Sequence, residues 1–220
     1  MPFAETPCRT LNGVTDEEET SGRRMADHWW WRPGWRVGRR GYAWHLTFRD
    51  SPDVHRLAAV YRQGLAGVKE LDPVPDASLH LTMQQVGFVD EVTDDQVKAM
   101  VEAAARRLEV LPAFDIELDR PVITREAVRW DPVPAAPVVA VRLAIRQAMA
   151  EVWPQVPGRE EGFVPHVSIA YSNAPVPYAT VAAALAAIDA PPARARVEKA
   201  DLIVIHRDRR MYEWTEHTAV

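Results

Sequence analysis

From Tyr42 to Arg49 apolar and polar positions alternate: Tyr42, Trp44, Leu46 and Phe48 fall on one side, Ala43, His45, Thr47 and Arg49 on the other. A period of two predicts a strand with one face on a core. Ser51-Pro52-Asp53 then predicts a helix start, with Ser51 as N-cap and Pro52 in the first turn. Val54, Leu57, Ala58, Tyr61 and Leu65 recur at helical spacing as far as Gly64 or Gly67. A proline-rich loop, Leu71 to Asp76, leads into a second alternating stretch. There Ser78, His80, Thr82 and Gln84 share one face, and Leu79, Leu81 and Met83 share the other. A turn at Asp90 to Thr93, a helix to about Glu109, a strand at Phe114–Leu118 and a short partner at Val122–Ile123 complete this half.

The order then repeats. Val128–Trp130 reads as a short strand, and residues 136–152 read as a helix burying Val138, Val141, Leu143, Ile145 and Met149. A Pro/Gly-rich loop from Pro154 to Gly162 precedes a strand with His166, Ser168 and Ser172 on one face and Val167, Ile169 and Tyr171 on the other. A helix over Tyr178–Ile188, a long strand within Arg196–Arg207 and a last strand over Met211–Thr215 follow. Each half is β-α-β-α-β-β, and the offset of 86 that superposes His80 on His166 also superposes the flanking helices. The pattern implies two similar α+β lobes. They are half-repeats of about 41–126 and 127–220 whose polar strand faces meet across a groove.

Composition narrows the class. The chain has 220 residues, 47% hydrophobic and 26% charged, with a net charge of −5. It is long enough for a sizeable core, and a broadly basic nucleic-acid binder is excluded. Apolar runs fall short of a membrane span, the start lacks the features of a secretion signal, and the single Cys8 rules out an internal disulfide. These features point to a soluble cytoplasmic protein, and no obligate protein partner is predicted. Charge is uneven: residues 1–22 carry −4 and read as a disordered acidic tail, whereas residues 23–40 carry +5. That second segment interleaves Trp29, Trp30, Trp31 and Trp35 with arginines. Either it stacks on bases and holds phosphates, or its tryptophans pin an N-terminal arm onto the domain.

The polar strand faces carry the chemistry. Histidine is suited to exchanging protons near neutrality, and two imidazoles across a groove can work on both sides of one phosphorus. A hydroxyl two residues along, Thr82 or Ser168, is placed to hold a phosphoryl oxygen as charge builds. Neither histidine has Cys, Asp or Glu at ligand spacing, so the expectation is phosphoester cleavage without metal or cofactor. A third His-x-Thr, His45-Leu46-Thr47, lies on the first strand; it either contacts the groove or is structural. His28, His55, His206 and His217 read as incidental, and Tyr171 falls on the core face by alternation.

The stretches His80-Leu81-Thr82-Met83-Gln84-Gln85-Val86-Gly87-Phe88 and Pro165-His166-Val167-Ser168-Ile169-Ala170-Tyr171 resemble the two signature strands of the 2H phosphoesterases. The similarity is greatest to the 2'-5' RNA ligase and RNA 2',3'-cyclic phosphodiesterase group. That resemblance implies a bilobal, pseudo-twofold α+β fold of two antiparallel-sheet lobes, and hydrolysis of a nucleoside or RNA 2',3'-cyclic phosphate to a 2'-phosphate, with RNA ends or cyclic nucleotides as substrates. It further implies His80 as proton donor to the leaving 3'-oxygen, His166 as the base that activates water, and Thr82 and Ser168 as phosphate ligands. Ser168 stands where many members have Thr, and it keeps the hydroxyl. Joining of RNA ends through a 2'-5' linkage, cleavage of another cyclic nucleotide, and non-catalytic binding of RNA ends are the alternatives.

Overall fold

Strand β1 (Gly41–Thr47) forms where the alternation begins, and all of it but Thr47 is buried. The computed structural model describes residues 23–158 and 161–220; the tail expected over 1–22 lies outside them. The first half continues with α1 (Pro52–Leu65), β2 (Leu71–Pro73), β3 (His80–Phe88), α2 (Asp94–Leu108), β4 (Phe114–Leu118) and β5 (Val122–Ile123). The second comprises β6 (Ala127–Trp130), α3 (Ala136–Val152), β7 (Val167–Ser172), α4 (Tyr178–Ala186), β8 (Ala193–Val197), β9 (Asp201–His206) and β10 (Glu213–Ala219).

The strands form two antiparallel four-stranded sheets, ordered β10-β9-β1-β3 and β2-β7-β6-β5, and a two-stranded ribbon of β4 and β8. Each half lends strands to the other's sheet. β9 and β10 extend the sheet built on β1 and β3, while β2 and β5 flank β6 and β7. Helices cross over likewise: α1 packs on β7 and α4, and α3 packs on β3 and α2. The offset of 86 reaches into the core. It relates Trp44 of β1 to Trp130 of β6, each with no exposed surface. Large aromatic side chains at matched places fill the layer behind each sheet, and burial of each such side chain stabilises by about 1.5–3 kcal/mol.

Several local expectations are revised. Ser51 precedes α1, but its side chain makes no capping bond. Thr93 does cap α2, through a reciprocal box with Gln96. The proline-rich loop contains β2, which tolerates Pro73 because it lies at a sheet edge. The long strand expected within Arg196–Arg207 is two strands. The chain leaves its pairing with β4 after Val197 and enters the other sheet at Asp201. The last strand lies further along than expected, over Glu213–Ala219. On α3, Leu143 is exposed while Arg142 and Arg146 are buried.

Those arginines secure an irregularity in β3. Between Trp44 and His45 of β1 the paired residue on β3 jumps from Gln84 to Thr82, leaving Met83 as an extra residue. Arg142 Nε donates to the Met83 carbonyl at 3.0 Å, and Arg146 Nη1 donates to Gln84 Oε1 at 2.7 Å. A bulge leaves a ladder carbonyl without its strand partner, and here a buried guanidinium takes that place. β7 has the matching irregularity 86 residues on, where pairing with β6 skips Ile169. Its carbonyl accepts from Val74 N at 2.9 Å.

Candidate active site

A bulge reverses alternation beyond it, and this decides which side chains reach the groove. His80 and Thr82 precede the Met83 bulge and line one cavity of about 320 Å³, together with His166 and Ser168, which precede the Ile169 bulge. After the bulges the faces exchange. Gln85 and Tyr171 line the cavity, whereas Gln84 turns to Arg146, and the Ser172 hydroxyl donates to the Ala174 carbonyl. The core-face placement of Tyr171, and the shared faces expected for Gln84 and Ser172, are therefore corrected.

The two imidazoles are held alike. His80 Nδ1 lies 2.8 Å from the Ser78 carbonyl, and His166 Nδ1 lies 2.8 Å from the Val164 carbonyl. A carbonyl only accepts, so each Nδ1 carries a proton and each Nε2 is the proton-exchanging atom. Burial lowers His80 to about 4; the Ser78 bond opposes this and the His166 charge adds to it. Burial also lowers His166, helped by Arg129 and opposed by the Val164 bond and by Asp131. The protein surroundings thus hold both rings neutral at pH 7.

His45 lines the cavity beneath His80, stacked on it with centroids 4.3 Å apart and planes 7° apart. Thr47 does not line it. At the end of β1 its hydroxyl donates to Asp201 on β9, which turns it out of the groove. Among the described residues no three His, Cys, Asp or Glu side chains converge as metal ligands.

One wall of the cavity includes His28, which the sequence reads as incidental. The 23–40 arm lies against the second half, with Met25 N bonded to the Val176 carbonyl and His28 N to the Ser172 carbonyl, both at 2.8 Å. Trp29 is buried and donates from Nε1 to Asp72 at 2.8 Å, while Trp30 and Trp31 remain 47% exposed. Buried Arg207 reaches the carbonyls of His28 and Trp30. His28 therefore enters the cavity wall, its Nδ1 3.1 Å from Glu126, its Nε2 3.1 Å from the Tyr212 hydroxyl, and its ring stacked on Tyr171 at 4.2 Å. Burial, chiefly, with Arg32 beside it, lowers His28 to about 4 against the pull of Glu126. No sequence spacing links residue 28 to residues 126 and 212. Only the docking of the arm brings them together.

The sequence profile of the 2'-5' RNA ligase superfamily matches residues 48–209. The chain belongs to this superfamily, among the 2H phosphoesterases. Solved structures with the same fold include TT0787 of Thermus thermophilus, at a TM-score of 0.61 and 18% identity over 82% of this chain and 96% of that one. LigT of E. coli complexed with 3'-AMP superposes at a TM-score of 0.60 with 17% identity, covering 83% and 96% of the two chains. No curated protein matches the sequence. Membership supports a phosphoesterase or ligase role. No helix among the described residues is long and apolar enough to cross a membrane. The arm, His45 and β10 lie outside the matched region.

Proposed function

We propose that the protein hydrolyses a nucleoside or RNA 2',3'-cyclic phosphate to a 2'-phosphate without a metal, its substrates being cyclic nucleotides or RNA ends. The observation that carries this reading is the matched pair of Nδ1–H bonds to the carbonyls of Ser78 and Val164. It leaves two Nε2 atoms as proton carriers on one cavity, each with a hydroxyl two residues along. A cavity of about 320 Å³ is at the lower end for small-molecule sites and suits about one nucleotide.

In the proposed step His166 Nε2 takes a proton from water as its oxygen bonds to phosphorus. The bond from phosphorus to the 3'-oxygen breaks, and His80 Nε2 gives that oxygen its proton. Thr82 and Ser168 hold the non-bridging oxygens as charge gathers on them. Both rings start neutral, so the proton on His80 is taken up with the substrate, whose negative charge favours an imidazolium beside it. Thr47, bonded to Asp201, has no part in this scheme.

The test is turnover of 2',3'-cyclic AMP in EDTA, with the product identified as 2'-AMP or 3'-AMP. Hydrolysis to 2'-AMP is expected, with kcat reduced at least about a hundredfold in His80→Ala and in His166→Ala. Near-wild-type turnover by either variant refutes the paired acid–base reading. Formation of 3'-AMP refutes the assignment of the leaving oxygen.

A further inference from the structure

His45 sits on the central side of its sheet, opposite Thr82 of β3 and Asp201 of β9. Strand pairing on both sides fixes its backbone, and the ring is 1% exposed. One face lies on His80 at 4.3 Å, and Trp214 meets the ring edge-on at 5.6 Å. Nε2 is 3.3 Å from Thr82 Oγ1. The buried Nδ1 has no hydrogen-bond partner among the described residues.

A neutral imidazole carries one N–H. Placed on Nδ1, that hydrogen would be a buried donor with nothing to accept it; placed on Nε2, it meets the Thr82 oxygen. The protonated ring is disfavoured as well, because burial and the adjacent His80 both lower its pKa well below the ordinary value. The Nε2–H tautomer uses one lone pair of Oγ1, and the Thr82 hydrogen must then point elsewhere.

We infer that His45 is a positioning residue: its Nε2–H donates to Thr82 Oγ1 and turns the Thr82 hydroxyl hydrogen into the cavity, towards an anionic phosphoryl oxygen. This rests on the reading of Thr82 as a phosphate ligand. The orientation is set before substrate arrives, so the donor needs no rearrangement as charge develops. The second half places different groups at the corresponding points. The residue 86 positions after His45 is Asp131, and the Ser168 hydroxyl has Tyr171 as its neighbour. The arrangement around Thr82 is therefore specific to one half of the site.

Two measurements test the inference. In histidine-labelled wild-type protein, nitrogen NMR is expected to show His45 neutral with its hydrogen on Nε2 from about pH 6 to 8. A hydrogen on Nδ1 overturns the inference whatever the activity. In kinetics on 2',3'-cyclic AMP, His45→Phe is expected to lower kcat about tenfold with KM changed less than about twofold, since the donor is misaligned but not lost. His45→Gln, which restores an N–H near the Nε2 position, should recover most of the rate. In a Thr82→Val background, His45→Phe should add less than about a twofold loss. Equal losses in both backgrounds, or a Gln variant no better than Phe, overturn the inference. If wild type hydrolyses no cyclic phosphate, the functional reading fails separately, and His45 is judged on the tautomer and on inorganic phosphate binding. Weaker phosphate binding in His45→Phe than in wild type supports the inference, and unchanged binding overturns it.

Discussion

Acidification is expected to raise catalytic efficiency at low substrate. The protein surroundings set His80 at about 4 and His166 below the ordinary histidine value of 6.5. Acid–base action needs one proton shared by the pair. Above the higher of their two titrations, the fraction of enzyme carrying it falls about tenfold per pH unit. The ratio kcat/KM reports the free enzyme, so its maximum is expected between about pH 4 and 6.5, with a fall of about a hundredfold from pH 7 to 9. The bound enzyme differs. A phosphate charge about 4 Å from His80 contributes about 4 kcal/mol at an effective dielectric constant of 20, equivalent to about three pKa units. That moves His80 from about 4 to about 7, so the kcat profile should extend to neutral pH.

The assay is initial-rate hydrolysis of 2',3'-cyclic AMP, well below and well above KM, across that range. A kcat/KM that is flat or rises from pH 7 to 9, or coincident profiles for kcat and kcat/KM, would refute the electrostatic reasoning. Folding has to be followed at each pH, because stability falls in the same window. His28 and His80 are lowered to about 4 in the folded state. Below about 6.5 the unfolded chain binds protons that these buried rings do not, and each ring costs about 1.4 kcal/mol per pH unit until its folded value is reached. Circular dichroism at each pH separates the two effects.

Other consequences concern the scaffold. Trp29→Ala, which removes a buried indole and its bond to Asp72, should cost about 3–5 kcal/mol in urea unfolding. It should also raise KM, because the segment carrying His28 loses its anchor; an unchanged unfolding midpoint would mean that the arm is not part of the folded core. Thr93→Ala, which opens the capping box of α2, should cost about 1 kcal/mol and leave kcat unaltered. A change in kcat there would show coupling between α2 and the site.

The elements were largely legible because their signals are local. Alternation marked β1, helical spacing marked α1 and α3, and the turn over Asp90–Thr93 marked where α2 begins. His80, Thr82, His166 and Ser168 stood out because the same short pattern occurs twice at an offset of 86, and all four line one cavity. What the amino-acid order left open depends on contacts distant along the chain. Alternation gives a side chain's face only while the ladder is regular. The extra residues Met83 and Ile169 are held by Arg142 and Val74, remote in sequence, so the exchange of Gln84 for Gln85 and of Ser172 for Tyr171 had no local sign. The same applies to the strands each half lends to the other's sheet, to Thr47 turning to Asp201, and to His28 entering the cavity with the arm. The sequence determined which groups are available for proton transfer. Packing determined which of them meet, because strand register and arm docking are fixed by burial summed over the whole core and not by any single segment.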